Sequence, residues 1–316
     1  KDAVSPSTLV MKDSIIDSNV VETSGVVYLN NLASAIFQSC TFTNNVSREV
    51  GVAIYSKPQT KLDTKLFILS SKFYDNLSKN KGIIYVEKAD ASVDFLVDSC
   101  EFLRNQANEG SAIYLDTAIA STSKIVSSLF QSNTSTSSAV ILLKTSGGNF
   151  SIKGCKFLQN SAPLTAVIEA TCTSGILEVS ESLFQANSGD EIMRIPQTAS
   201  LQKLVLNRNN FKDNLGVALA CEYCDLSDSD STYEGNFDTA VYLTSASSAL
   251  LNRVKLSKNT RAEIGGAVVL SISSKLMCKA CDFLDNSSID KAGAVYVERK
   301  SVFQAENSTF MRNTSN

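Results

Sequence analysis

Residues 100–115 read Cys-Glu-Phe-Leu-Arg-Asn-Gln-Ala-Asn-Glu-Gly-Ser-Ala-Ile-Tyr-Leu. The same unit returns along the whole 316-residue chain. Its core residue stands three before an asparagine, at Ile16, Phe42, Phe73, Phe102, Phe130, Phe157, Phe184, Phe211, Tyr233, Leu256, Phe283 and Phe310. The partners are Asn19, Asn45, Asn76, Asn105, Asn133, Asn160, Asn187, Asn214, Asn236, Asn259, Asn286 and Asn313. Successive asparagines lie 26, 31, 29, 28, 27, 27, 27, 22, 23, 27 and 27 residues apart, a period near 27 whose variation falls in loops. That behaviour belongs to a solenoid. Two before the core residue sits a small residue, cysteine at Cys40, Cys100, Cys155 and Cys281 and serine in most other units.

Between units run short β-branched stretches such as Val93, Phe95 and Val97 set against Asp94 and Asp98, bounded by Ser, Asn, Gly and Asp. Period two with such boundaries is strand grammar. Strands stacked about 4.8 Å apart bring each residue type over its counterpart in the next coil. An asparagine column then forms a ladder of amide-to-amide hydrogen bonds, and a phenylalanine column stacks in the core. The expected fold is all-β: a single-stranded parallel β-helix of about twelve coils, 1–316 as one continuous unit.

Phe-x-x-Asn followed by Gly-x-Ala-Ile-Tyr, or by Gly265, Gly266, Ala267 and Val268, resembles the repeat of chlamydial polymorphic membrane proteins. It also resembles the large pectin-lyase-like ectodomains of protists. The resemblance covers the whole chain and implies a right-handed parallel β-helix on a cell surface or in the extracellular space. It departs at coils eight to ten, where the spacing shortens and Tyr233 and Leu256 replace phenylalanine.

Hydrophobic content of 43% and a net charge of −3 suit a folded chain and give nucleic acid no basic patch to bind. No stretch approaches the roughly 18 apolar residues of a membrane helix, so membrane insertion by this segment is not expected. The repeat begins and stops within a unit, from which we expect a segment of a longer chain.

Of the eight cysteines, Cys40, Cys100 and Cys155 occupy the small column with serine between them and read as buried fillers. The pairs Cys221, Cys224 and Cys278, Cys281 share a Cys-x-x-Cys spacing. With no histidine in the chain and two coils between the pairs, a local disulfide in each is expected rather than zinc. No cofactor is called for. Seven Asn-x-Ser/Thr sequons occur, five of them on ladder asparagines whose amides are committed to stacking. Asn149 and Asn307 lie off the ladder and are the glycosylation candidates if the chain is secreted.

The strand after each loop bears on function. Aligned on its small residue, its first column begins Val26, Ala53, Ile83, Ala112, Ala139 and Ala166, and its second Val27, Ile54, Ile84, Ile113, Val140 and Val167. The third reads Tyr28, Tyr55, Tyr85, Tyr114, Ile141, Ile168, Arg194, Leu219, Tyr242, Val269 and Tyr296. Neighbouring positions face opposite ways, and placing the β-branched second column inside puts alanines and tyrosines outside. The expectation is an apolar stripe bearing Tyr28, Tyr55, Tyr85, Tyr114, Tyr242 and Tyr296, docking a protein partner or another copy, or else covered by a loop or neighbouring domain. Loops at 56–64 and 116–123 offer further recognition surface.

An enzyme is not expected. The position before each ladder asparagine carries no carboxylates in adjacent coils, which glycosidic chemistry would need. There is neither histidine for acid–base work nor tryptophan for a sugar platform. The dense acidic stretch Asp225, Asp228, Asp230 and Glu234 could hold calcium but reads better as a solvated loop. Carbohydrate binding is the alternative to a structural and assembly role.

Overall fold

The computed structural model describes residues 7–58, 63–89, 92–117, 121–145, 147–172, 174–197, 202–260 and 262–315. The middles of the loops at 56–64 and 116–123 lie outside the described residues. Every described strand pair is parallel and joins residues one coil apart, as in Phe73 opposite Phe42 and Phe102. Two sheets of twelve strands run the length of the stack, the first from Thr8–Lys12 to Val302–Glu306, the second from Ile15–Asp17 to Thr309–Met311. A third, of sixteen strands, collects the short strands that follow the earlier asparagines and the longer strand after each of them; Ser161–Cys172 spans both, and the short strands of the last coils, Ala262–Ile264, Ser287–Lys291 and Thr314–Ser315, form a separate sheet of three. The result is a parallel β-solenoid of about eleven turns. No described helix is long and apolar enough to cross a membrane.

Two sharp corners bracket the second sheet, and both use a left-handed residue. Before the small column come Ser39, Ser70, Ser99 and Ser127, and before the ladder asparagines Asn44, Asp75, Arg104 and Ser132, with φ between 48° and 55°. Such residues turn the chain without a long loop, which is how three residues such as Glu101–Leu103 make a whole face.

At the second corner the asparagine ladder is complete. Asn133 Oδ1 accepts from Asn105 N (3.1 Å) and Asn105 Nδ2 (3.0 Å), while Asn133 Nδ2 donates to Asn160 Oδ1 (3.0 Å) and to the Phe102 carbonyl (2.8 Å). Steps of this kind link Asn19 to Asn313. The aromatic stack beside it runs from Phe42 to Tyr233 with ring centroids 4.5–5.1 Å apart and planes within 7°. Leu256 interrupts it, and Phe283 and Phe310 resume it at 4.4 Å.

The small column is more than filler. The Ser71 hydroxyl accepts the Cys40 N–H at 3.1 Å, Cys100 Sγ accepts the Ser71 N–H at 3.4 Å, and the Ser128 hydroxyl accepts the Cys100 N–H at 3.1 Å. Serine, cysteine and Asn209 all fit because each offers a short acceptor to the coil before it. Burial pushes the Cys100 thiol up to about 12 and the Cys155 thiol to about 11, so both stay protonated and donate to backbone carbonyls.

The short coils eight to ten keep both ladders, with Asn214 to Asn236 and Asn236 to Asn259 each 2.9 Å. What shortens is the connection: Leu215–Glu222 of the third sheet is followed after one residue by Cys224–Ser229 of the first. The acidic stretch is therefore regular strand and corner, not a solvated loop. Asp228 points into the core in the column between Leu206 and Leu251, Asp230 holds Arg253 at 2.7 Å, and Glu234 meets Lys258 at 3.4 Å. With Asp228 facing inward, the group cannot converge on calcium.

Candidate functional site: the outer face of the third sheet

In the middle coils the inner residue of this strand stands eight after the ladder asparagine. Asn105 leads to Ile113, Asn133 to Ile141 and Asn160 to Ile168, and the structure pairs those three isoleucines in line. Alignment on alanine was therefore one residue out in these coils. Ile141 and Ile168 belong to the inner column, and so does Leu219, which stands against Met193 and Val241. The tyrosine column continues instead as Tyr114, Leu142, Glu169, Arg194, Ala220, Tyr242, Val269 and Tyr296. A one-residue slip exchanges the two faces of a strand, and here it breaks the expected apolar stripe with an ionic centre.

The alanine column is not displayed either. Ala53, Ala112 and Ala166 are fully buried, because the chain bends just before the strand and lays the preceding loop against it. Gly110 makes this approach possible: its φ is +62°, and a Cβ there would stand 2.7 Å from the Ile113 carbonyl oxygen and 2.8 Å from Tyr114 Cβ.

The tyrosines do point outward, in a hydrophobic cluster separate from the core. Tyr28 and Tyr55 lie 5.0 Å apart, Tyr55 and Tyr85 stack at 5.1 Å, and Tyr85 meets Tyr114 edge to face at 5.1 Å. Exposure falls along the stack: Tyr28 is 45% exposed, Tyr85 6% and Tyr114 2%. The chain covers the inner end itself. Lys81 Nζ sits 5.3 Å from the Tyr85 ring and 4.9 Å from that of Tyr114, and Lys144 Nζ contacts the Tyr114 hydroxyl at 3.1 Å. Tyr55 donates to Glu87, which also holds Lys57 at 3.2 Å; burial first, then Glu87, raises the Tyr55 hydroxyl well above the usual range. Tyr242 and Tyr296 are half-buried farther along, with Lys291 Nζ 6.0 Å from the Tyr296 ring.

Beyond Leu142 the column turns ionic. Glu169 faces Arg194 across the strands, Arg194 bonds Glu222 at 3.2 Å, and Glu191 precedes it on the same strand. Burial raises the Glu169 and Glu191 carboxyls above the ordinary range against the pull of Arg194, and Asp116 is raised by burial against the pull of Lys144. These carboxylates escaped the sequence reading because it searched the corner position, where Asp75 and Arg104 instead pair at 2.7 Å.

A shallow groove of about 380 Å³ lies around the next corner, across the short strands Val46–Ser47, Leu77–Ser78 and Gln106–Ala107. Leu77 (44% exposed) and Gln106 form one wall, and Arg48, Lys79 and Asn108 the other.

Asn149 is exposed on Gly148–Lys153 and Asn307 is exposed at a corner with φ 49°, whereas Asn45, Asn76, Asn133 and Asn286 are buried in the ladder. Of the two Cys-x-x-Cys pairs, Cys221 and Cys224 are disulfide-bonded, Cα atoms 5.9 Å apart, at the shortened connection between the third and first sheets. Cys278 and Cys281 are buried thiols between the first and second sheets, so the second expected disulfide is open. The side chain of Cys172 lies outside the described residues.

Fold and face together define a parallel β-solenoid with an asparagine ladder. No family model matches this chain, and no curated protein matches it in sequence. Among solved structures, the crystal structure of the periplasmic alginate epimerase AlgG is similar, with 11% identity over 89% of this chain and 77% of that one, at a TM-score of 0.35.

Proposed function

We propose that the chain is a non-enzymatic structural and assembly module of an extracellular or cell-surface protein, a rigid rod whose tyrosine face docks a protein partner. The motif's likeness to chlamydial polymorphic membrane protein repeats and protist ectodomains agrees with that setting. The observation that carries it is the outer tyrosine stack, self-covered at Tyr85 and Tyr114 and open at Tyr28. Ring-on-ring packing through Tyr55 holds Tyr28 in place, so a partner meets a fixed aromatic surface at small entropic cost. The charged groups that follow are engaged with each other, as in Lys57 with Glu87 and Arg194 with Glu222. Light scattering at rising concentration tests the self-docking form: Tyr28→Ser with Tyr55→Ser should remove the growth in mass, and equal growth in both proteins would refute it.

A second reading, carbohydrate binding, is favoured by the groove. It offers exposed amides at Gln106 and Asn108, the hydroxyl of Thr136, an apolar platform at Leu77 and the cations Arg48 and Lys79, the usual elements of sugar recognition. Titration calorimetry with neutral and acidic oligosaccharides, repeated on Lys79→Ala with Gln106→Ala, tests it. Heat that is unchanged in the variant would exclude the groove.

A further inference from the structure

Cys221 and Cys224 show what a Cys-x-x-Cys does in this fold. Its third residue, Tyr223, takes a left-handed φ of 54°, and the resulting corner brings the two cysteines within bridging distance. Cys278 and Cys281 have the same spacing and the same left-handed third residue, Ala280 at φ 51°. Cys281 Sγ lies 3.5 Å from the carbonyl oxygens of Leu251 and Lys279, facing the same core as Cys278. The sites differ in surroundings. Cys278 follows Asp228 and Leu251 in the inner column of the first sheet, and Cys281 stands in the small column, its N–H bonded to the Ser308 hydroxyl at 3.1 Å. Both are completely buried, so only a small oxidant can reach them.

We propose that Cys278 and Cys281 form a reversible redox site that a peroxide closes into a second core disulfide. In the first step the Cys281 thiolate attacks one peroxide oxygen; the O–O bond breaks, the departing hydroxide takes a proton as water, and Cys281 becomes a sulfenic acid. In the second, the Cys278 sulfur displaces that hydroxyl, which leaves as a second water. One S–S bond forms, both sulfurs are oxidised, and the peroxide is reduced. Cys281 is the attacking thiol because its neighbour Cys278 draws its thiol below the usual cysteine range, while Cys281 and burial push the Cys278 thiol far above it. Cys40, Cys100 and Cys155 have no thiol partner among the described residues and serve as internal controls.

The test is differential alkylation of the intact protein. It is reduced, freed of reductant, exposed to hydrogen peroxide, then denatured in N-ethylmaleimide and mapped by mass spectrometry. The peptide holding Cys278 and Cys281 should lose two hydrogens and both labels, and regain the labels when reductant precedes denaturation, while Cys40, Cys100 and Cys155 stay labelled. In Cys278→Ser, Cys281 should accumulate as a sulfenic acid trapped by dimedone. Two labels retained on that peptide after peroxide, or sulfinic acid on Cys281 without the disulfide, would overturn the proposal. Absence of the dimedone adduct in the variant would overturn the role given to Cys281.

Discussion

Asn133→Ala probes the ladder at mid-stack. The wild-type amide makes four hydrogen bonds in a site with no solvent access. Alanine keeps the backbone N–H that donates to Asn160 Oδ1 but removes the acceptor of the Asn105 N–H, one of the two acceptors of Asn105 Nδ2, which keeps the Phe73 carbonyl, and the side-chain donor to the Phe102 carbonyl. Three buried polar groups lose these partners together. An orphaned buried group costs about 1–3 kcal/mol, and water entering the small vacated space recovers part of it, so the expected loss is about 4 kcal/mol. Exposed Asn149→Ala is the control and should stay within about 0.5 kcal/mol. Because coils contact only their neighbours, the damage should be local. The assay is native-state hydrogen exchange beside urea denaturation: the amides of Asn105 and Gln106 should lose protection far more than those of Asn259 and Asn286. A loss below about 1 kcal/mol, or one spread evenly along the rod, would refute the view that ladder amides rather than aromatic stacking fix the second corner.

Other consequences are as direct. Ala186 sits at a ladder corner with φ 55°, so Ala186→Gly should stabilise by about 0.5–1 kcal/mol in urea melts; destabilisation would show that the left-handed corners are not strained. Gly110→Ala forces a Cβ against backbone and should cost about 2 kcal/mol while raising solvent exchange around Tyr114. Burial raises the Asp228 carboxyl from 3.8 to about 6, against the bond from the Tyr233 hydroxyl at 2.8 Å, and its Oδ1 has no partner among the described residues. A raised carboxyl favours the folded state below pH 4 and loses that contribution as pH rises through 6. Stability of the wild type relative to Asp228→Asn should therefore fall by about 3 kcal/mol between pH 3.5 and 7, and a flat difference would refute it.

The Phe-x-x-Asn period was enough to read the stack from the sequence. Once parallel strands pile up at one spacing, equal residues must coincide, so the asparagine and phenylalanine columns follow from counting alone. Even the break at Leu256 was visible. What counting on the wrong landmark missed was facing. Alanine recurs near the start of the third-sheet strand, but the loop between the ladder asparagine and this strand changes length from coil to coil, and measuring from the alanine moves Ile141 and Ile168 to the wrong side and hides Leu142 and Glu169. Side chains alternate with period two, so an error of one residue inverts a face while leaving the pattern plausible.

Other features were settled only by contacts distant in sequence. Serine-rich surroundings made Asp228 look solvated, yet loss of a connecting loop drew it into regular strand with its carboxylate inward. Lys81 and Lys144 both reach Tyr114 from the adjacent coils, and no local pattern announces that. Two identical Cys-x-x-Cys spacings end in different states, one bonded and one open. The sequence by itself determined which asparagines and core residues stack, because that stacking depends on period; the tertiary structure decided the register of the third sheet and which residues meet solvent, because both depend on how each loop closes over its neighbours.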